Sequence, residues 1–272
     1  MTVHTALKHN LNTQLWNNFS PSNRMEMARG IVAFLEAHNR LGKDIVEMLN
    51  LGSGVGITSS CLEKAHPFFR ITDIDQIPYR DELMHKRYLQ NDISSLPFRD
   101  GSYDAVFSSY TFSYLGNDQQ VMREWLRVLR PGGSAYFVFH APHSAYLKTA
   151  REMISANMGR DFLKLIRQYP GEDYSGLYRW FCEKNFAWGM AFKEEQKFLS
   201  YAHEIQVCEH LVQVVAGTMF ESDQEIAGFF KAQGAEDISI NVLGLDFVAR
   251  SCEDMAETQI VAWFVAFRKG LG

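Results

Sequence analysis

The chain has 272 residues, 46% of them hydrophobic and 13% aromatic, which is ample material for a core and suits one α/β domain carrying a large insertion. A net charge of −5 argues against a nucleic-acid partner, because affinity for a polyanion comes from clustered cations that neutralise phosphates. No stretch approaches the roughly 18 consecutive apolar residues of a membrane span, the first ten residues lack a signal-like apolar region, and Cys61, Cys182, Cys208 and Cys252 have no C-x-x-C spacing, so a cytoplasmic protein with reduced thiols is expected.

In chain order, Ser20 or Ser22 caps a predicted helix from Met25 to Asn39, where Met27, Ile31, Phe34 and Leu35 form an apolar stripe. Trp16 and Phe19, just before it, either pack against it or close over a ligand. The apolar run from Ile45 to Leu51 predicts a strand at 45–50 and leads directly into Gly52-Ser53-Gly54-Val55-Gly56 and a helix start. Glycine allows a sharp turn and lets a ligand lie against main-chain N–H groups, and the helix that follows offers its own unpaired amides. A nucleotide-like cofactor is the natural occupant. The dinucleotide fingerprint G-x-G-x-x-G is not met, since the third glycine arrives one residue early and Ile57 holds its place. Arg70 to Asp75 reads as a second strand, at 70–74, ending in a carboxylate placed to grip a ribose diol; Asp75 is the first choice, Asp73 the second, with Gln76 beside them.

Further strands are predicted at 103–108 and 134–140, the latter so continuously apolar (Ala135-Tyr136-Phe137-Val138-Phe139) that helices should cover both its faces. Between them, Arg123, Arg127 and Arg130 recur on one helical face. With Glu124, Leu126 and Val128 they read as an amphipathic surface helix with a solvated cationic face rather than an anion site. About 75 residues then intervene before Ser222. From Tyr169 to Tyr201, ten of thirty-three residues are aromatic, which suggests either an apolar pocket wall or the segment's own small core. Residues 235–243 and 259–268 are predicted to add two last strands.

Two blocks sharpen the reading: Asn91-Asp92-Ile93-Ser94-Ser95-Leu96-Pro97-Phe98-Arg99-Asp100-Gly101-Ser102-Tyr103-Asp104, and Arg127-Val128-Leu129-Arg130-Pro131-Gly132-Gly133. With the glycine loop and Asp75, the series resembles the class I S-adenosylmethionine-dependent methyltransferases, in particular their small-molecule branch, well over residues 40 to 142 and more weakly from Ser222 onward. The resemblance implies a Rossmann-like, seven-stranded, mostly parallel sheet whose last strands close one edge as an antiparallel pair. It implies a helical cap over 1–40, the Rossmann-like domain over 41–143 and 220–272, and a helical lid or substrate-binding insertion over 144–219. S-adenosyl-L-methionine is the implied cofactor. Gly52 and Gly54 would lie under its methionine and ribose, with Asn50, Ser53 and Gly56 around them. Asp75 and Gln76 would sit at the ribose, Asp92 and Ile93 at the adenine, and Ser108, Ser109 and Tyr110 on the methionine side. One departure stands out: the family usually has an acid where this chain has Asn50, and losing that charge should weaken attraction for the cofactor's ammonium by ~1 kcal/mol in a partly solvated site.

Methyl transfer needs mainly alignment and exclusion of water, plus a base where the acceptor is a hydroxyl. His140 and His143 follow the 134–140 strand on the carboxyl edge of the sheet and are the candidate bases, ahead of His203 and His210 in the insertion; a structural role at a strand end is the competing account. Tyr110, Phe112 and Tyr114 could face the sulfonium by cation–π attraction, with core packing an equal account of Phe112. Tyr114, Tyr178, Trp180, Phe181 and Trp188 are the pocket candidates, and no metal-ligand spacing is present. The expected partner is a small, largely apolar or aromatic acceptor methylated at oxygen or nitrogen, with no nucleic acid or membrane, and a homodimer is allowed. A cyclase or isomerase using the same cofactor, a nicotinamide dehydrogenase and a non-catalytic binding protein are the alternatives.

Overall fold

The computed structural model describes residues 45–54, 56–76, 86–115, 118–141, 145–171, 174–184, 194–216, 220–244, 249–250 and 260–271. The expected helix at 25–39, Trp16, Phe19, His143 and Trp188 lie outside the described residues, as do the side chains of Tyr114, His203 and His210. The chain divides into two compact units, one containing residues 146–213 and the other residues 20–145 and 214–272.

The larger unit is built on one sheet. Strand β1 (Val46–Leu51) runs into helix α1 (Ile57–Ala65), followed by β2 (Phe69–Asp75), β3 (Tyr88–Gln90) and β4 (Tyr103–Ser109). Helix α2 (Gln119–Val128) then leads into β5 (Leu129–His140), and the chain returns to the sheet in β6 (Ala235–Gly244), β7 (Ala249–Arg250) and β8 (Ile260–Lys269). The spatial order is β3-β2-β1-β4-β5-β8-β6-β7. The first five strands are mutually parallel, and β8 is antiparallel to both β5 and β6. This is the expected mostly parallel sheet closed by an antiparallel pair, with the reversed strand β8 inserted between β5 and β6 and a two-residue β7 added beyond β6. From β1 the chain moves outward to β2 and β3, then returns across β1 to β4. The strand order therefore reverses between β1 and β4, the kind of place where open α/β sheets leave a crevice at the carboxyl ends of the strands.

Local chemistry accounts for the helix starts. Asp118 accepts from the N–H groups of Gln120 (2.8 Å) and Val121 (3.3 Å), capping α2. Ser222 accepts from Glu225 N–H (3.3 Å) while the Glu225 carboxylate accepts from Glu221 N–H (2.8 Å), a reciprocal cap that starts α7 (Asp223–Ala232). The α2 helix ends at Val128 because Leu129 already pairs with Tyr103, and a register shift between Tyr103 and Ala105 accommodates the stretch around Pro131, which has no N–H to donate. The core beneath α2 and α7 centres on fully buried Phe137, stacked on Phe230 (centroids 5.5 Å, 6°) and Trp125 (5.8 Å, 24°). Burial of each such ring contributes about 1.5–3 kcal/mol, an upper figure because unfolded chains are partly collapsed.

The 146–213 unit is helical. Its helices are α3 (Ala145–Ser155), α4 (Asn157–Gln168), α5 (Tyr174–Glu183) and α6 (Glu195–Ala216), and they share an aromatic core in which Phe198 contacts Phe181 (4.6 Å), Phe162 (5.2 Å) and Tyr178 (5.2 Å). Among the described residues no helix is both long and apolar enough to cross a membrane; α6 has the length but carries Glu195, Lys197, Glu204 and Glu209.

Candidate cofactor site

The glycine loop leaves β1 at the point where strand order reverses. Gly52, Gly54 and Gly56 all have positive φ (67°, 58° and 78°), backbone that residues with a Cβ adopt only under strain. Ile74 C=O anchors the turn by accepting from Gly52 N–H (2.8 Å) and Ser53 N–H (3.2 Å). At Gly52 the main chain passes directly against Thr111, which follows β4, and the Thr111 hydroxyl donates to Gly52 C=O (3.2 Å). At Gly54, by contrast, a Cβ would meet no heavy atom of the described residues within 4 Å, so the peptide is open to them on that side. Gly56 precedes α1, whose Ser60 N–H bonds back to Gly56 C=O (3.0 Å).

Two carboxylates end β2, and the fold separates their tasks. Asp75 Oδ2 accepts from Gly54 N–H at 2.9 Å, so the predicted ribose ligand touches the loop itself. Asp73 is fully buried and is bonded elsewhere: its Oδ1 accepts from Ser59 Oγ (2.5 Å) and Asn50 Nδ2 (2.9 Å). Gln76 is exposed, and its carbonyl accepts from the Gln90 side chain (3.3 Å) on the β3 side. Tyr88 lies close to both acids, and its hydroxyl is held far above the usual phenol range by burial and by the charges of Asp75 and Asp73.

The loop after β3 carries Asp92 and Ile93. Asp92 Oδ1 accepts from the N–H and Oγ of Ser94 (both 2.8 Å), which keeps this exposed carboxyl below its usual range. Ile93 is buried, and its carbonyl accepts from Trp125 Nε1 (2.8 Å). Arginine 127, predicted to be solvated, instead fastens this loop to α2: its guanidinium donates to Phe98 C=O (2.8 Å), Leu96 C=O (3.2 Å) and Asp100 (2.6 Å), while Glu124 accepts from Arg127 (2.7 Å) and from Leu96 N–H (2.7 Å). Glu124 is lowered in pKa chiefly by its hydrogen bond with Arg127. Arg130 sits in β5 rather than on the helix and pairs with Asp104 (2.5 Å). These roles were hidden because the partners are distant in sequence.

At the end of β4 the Ser108 side chain is taken up within the sheet. It is 1% exposed and donates to Leu51 C=O (3.0 Å), a bond that ties β4 to β1 inside the sheet. Ser109 Oγ is buried and has no hydrogen-bond partner among the described residues. Tyr110 has φ 61°, an uncommon conformation for a side-chain-bearing residue, and is buried with its ring against His140 (centroids 4.4 Å, 33°). Burial raises its hydroxyl well above the usual phenol range. Phe112 belongs to the core, edge-on to Trp125 (5.7 Å) and Phe139 (5.4 Å). In the helical unit, Phe181 is likewise core at 1% exposure, whereas Tyr178 and Trp180 are half-buried at its margin.

Residues 49–137 match the family described as a methyltransferase domain. This stretch begins within β1 and ends within β5, and it contains the glycine loop, Asp75, Asp92 and Ser109. Over this third of the chain the sequence is that of a methyltransferase domain. A demethylmenaquinone methyltransferase of Thermotoga maritima is 28% identical over 131 residues, covering 43% of this chain and 57% of that protein. A malonyl-[acyl-carrier protein] O-methyltransferase of Laribacter hongkongensis is 28% identical over 138 residues, covering 45% of each. The chain thus spans about half the length of these curated relatives. Among solved structures, the plantazolicin methyltransferase BpumL in complex with SAH superposes with a TM-score of 0.52 at 13% identity, over 96% of this chain and 90% of that one, a likeness of fold. The residues of the methyltransferase domain fit an adenosyl cofactor on their own geometry: the main chain is bare at Gly54, a carboxylate sits beside it, and the buried Ser109 hydroxyl at the neighbouring strand end has bonding capacity to spare.

Proposed function

We propose that the protein transfers a methyl group from S-adenosylmethionine to an oxygen or nitrogen of a small, largely apolar or aromatic acceptor. The observation that carries this reading is the convergence, where the strand order reverses, of the open glycine loop with the Asp75 carboxylate on its Gly54 N–H. When bound, S-adenosylmethionine supplies a methyl carbon activated by its sulfonium. The chain's part is to bind, align and exclude water. Gly52, Ser53, Gly54 and Gly56 offer main-chain groups, Asp75 with Gln76 takes the ribose hydroxyls, and Asp92 with Ile93 receives the adenine. Ser109 and Tyr110 border the methionine portion.

His140 is the base that takes the proton from the acceptor's O–H or N–H, with the Tyr110 ring limiting the imidazole's freedom. His143 is the second candidate. The aromatic composition of the segment from Tyr169 to Tyr201 supports an apolar acceptor, with Tyr178 and Trp180, half-buried at the margin of the helical core, as candidate contacts. An oxygen acceptor agrees with the name of the L. hongkongensis relative.

Isothermal titration with S-adenosylmethionine, followed by mass spectrometry for S-adenosylhomocysteine and a methylated acceptor, tests the proposal. Absence of binding at millimolar cofactor would overturn it, and a product isomeric with its substrate would replace transfer by rearrangement. His140→Ala should lower kcat while leaving cofactor affinity unchanged.

A further inference from the structure

Beneath the glycine loop, three buried side chains are hydrogen-bonded to one another. Asn50, Ser59 and Asp73 are 2%, 0% and 0% exposed, and Asn50 and Asp73 are register neighbours on β1 and β2. The positions of the hydrogens follow from chemistry. A carboxylate only accepts, so Asn50 must turn its NH2 toward Asp73 Oδ1, at 2.9 Å; the opposite flip would set a carbonyl against a carboxylate. Ser59 has one hydroxyl hydrogen and directs it to Asp73 Oδ1, at 2.5 Å, so toward Asn50 it accepts, at 2.9 Å. Asn50 thereby commits its NH2 group to this pair. Its carbonyl oxygen remains and accepts from no described residue.

We infer that Asp73 is a positioning residue that locks Asn50 as an acceptor for the cationic amino end of the cofactor. The inference rests on the reading of this crevice as an S-adenosylmethionine site. Asn50 lies two residues before Gly52, at the base of the loop, and Asp73 polarises its amide from behind, so the oxygen favours a positively charged N–H donor and disfavours an anion. Of the cofactor's two cationic centres, only the ammonium has hydrogens to donate. The negative charge missing from position 50 is thus held one strand away and reaches the ligand through an amide.

The test compares S-adenosylhomocysteine with 5′-methylthioadenosine, which lacks the amino-acid end, by isothermal titration against wild type, Asp73→Asn, Asn50→Asp and the exchange Asn50→Asp/Asp73→Asn, with folding of each variant checked by thermal melting. Asp73→Asn should weaken S-adenosylhomocysteine about tenfold, the scale of removing charge behind a hydrogen bond, and methylthioadenosine less than about twofold. Asn50→Asp sets two carboxylates side by side and should bind S-adenosylhomocysteine no more tightly than wild type, whereas the exchange should restore it to within about threefold. Equal loss for both ligands in Asp73→Asn, tighter S-adenosylhomocysteine binding by Asn50→Asp, or an exchange variant no better than Asp73→Asn would overturn the inference. If Asp73→Asn fails to fold, Asn50→Asp and the exchange decide by the same criteria. Wild-type protein that binds neither ligand overturns the cofactor reading together with this inference; wild-type binding with a failed exchange overturns the inference alone.

Discussion

Replacing Gly52 or Gly54 by alanine should separate strain from ligand contact, although both glycines lie in one loop with nearly equal φ (67° and 58°). Forcing a Cβ into the left-handed region costs about 1–2 kcal/mol at either position. At Gly54 nothing more is added, because the new methyl would meet no atom of the described residues within 4 Å. At Gly52 the methyl would fall inside the Thr111 side chain, 2.7 Å from its Cβ and nearer still to its Oγ1 and Cγ2, and Thr111 is itself held by bonds to the carbonyls of Gly52 and Ser109 (both 3.2 Å). Overpacking of that kind adds about 1–3 kcal/mol. Urea unfolding should therefore show Gly52→Ala destabilised by about 2–5 kcal/mol and Gly54→Ala by about 1–2 kcal/mol. Titration of the folded Gly54→Ala protein with S-adenosylhomocysteine should nevertheless show a large loss of affinity, since the methyl occupies the open side of the loop. Equal destabilisation of the two variants, or a Gly54→Ala protein with wild-type affinity, would refute the reasoning.

Three further outcomes are expected. Trp125→Phe keeps a ring against Phe137 but removes the donor to Ile93 C=O, so stability should fall by about 1–3 kcal/mol and hydrogen exchange should quicken in residues 92–98; unchanged exchange there would show that the indole N–H does not hold the loop. Phe137→Ala, at the centre of the ring cluster, should cost about 3–5 kcal/mol by chemical denaturation, and a loss under 1 kcal/mol would place the core elsewhere. The folded pKa of Asp92 is depressed by Ser94, so the contribution of this turn is complete above the ordinary carboxylate pKa of about 3.9 and is lost as pH falls through the lower folded value. An NMR titration should follow that loss, and Ser94→Ala should move the Asp92 midpoint upward; an unmoved midpoint would refute the assignment.

The sequence alone determined the strands at the centre of the sheet, the glycine loop and the carboxylate at the end of β2, because each is a continuous apolar run or a local turn whose chemistry is complete within a few residues. It also announced the last antiparallel pair, for Ile260 to Phe267 is apolar almost throughout. Two strands escaped: β3, with three residues, and β7, with two, are too short to show any period. Tertiary structure alone decided which side chains meet. Asn50 finds Asp73 across 23 positions, Trp125 finds Ile93 across 32, and Arg127 finds Leu96 across 31, so nothing near any of them in the chain hints at the bond. Residues of one chemical type were sorted in the same way. Asp73 and Asp75 both point inward from the end of β2, yet one supports a buried amide and the other meets the loop; Ser108 is bonded into the sheet while the hydroxyl of Ser109, one residue on, finds no partner among the described residues. Periodicity fixes which face of a strand a residue occupies, but a hydrogen bond forms only where a second strand or helix brings its partner within about 3 Å, and that is a property of packing.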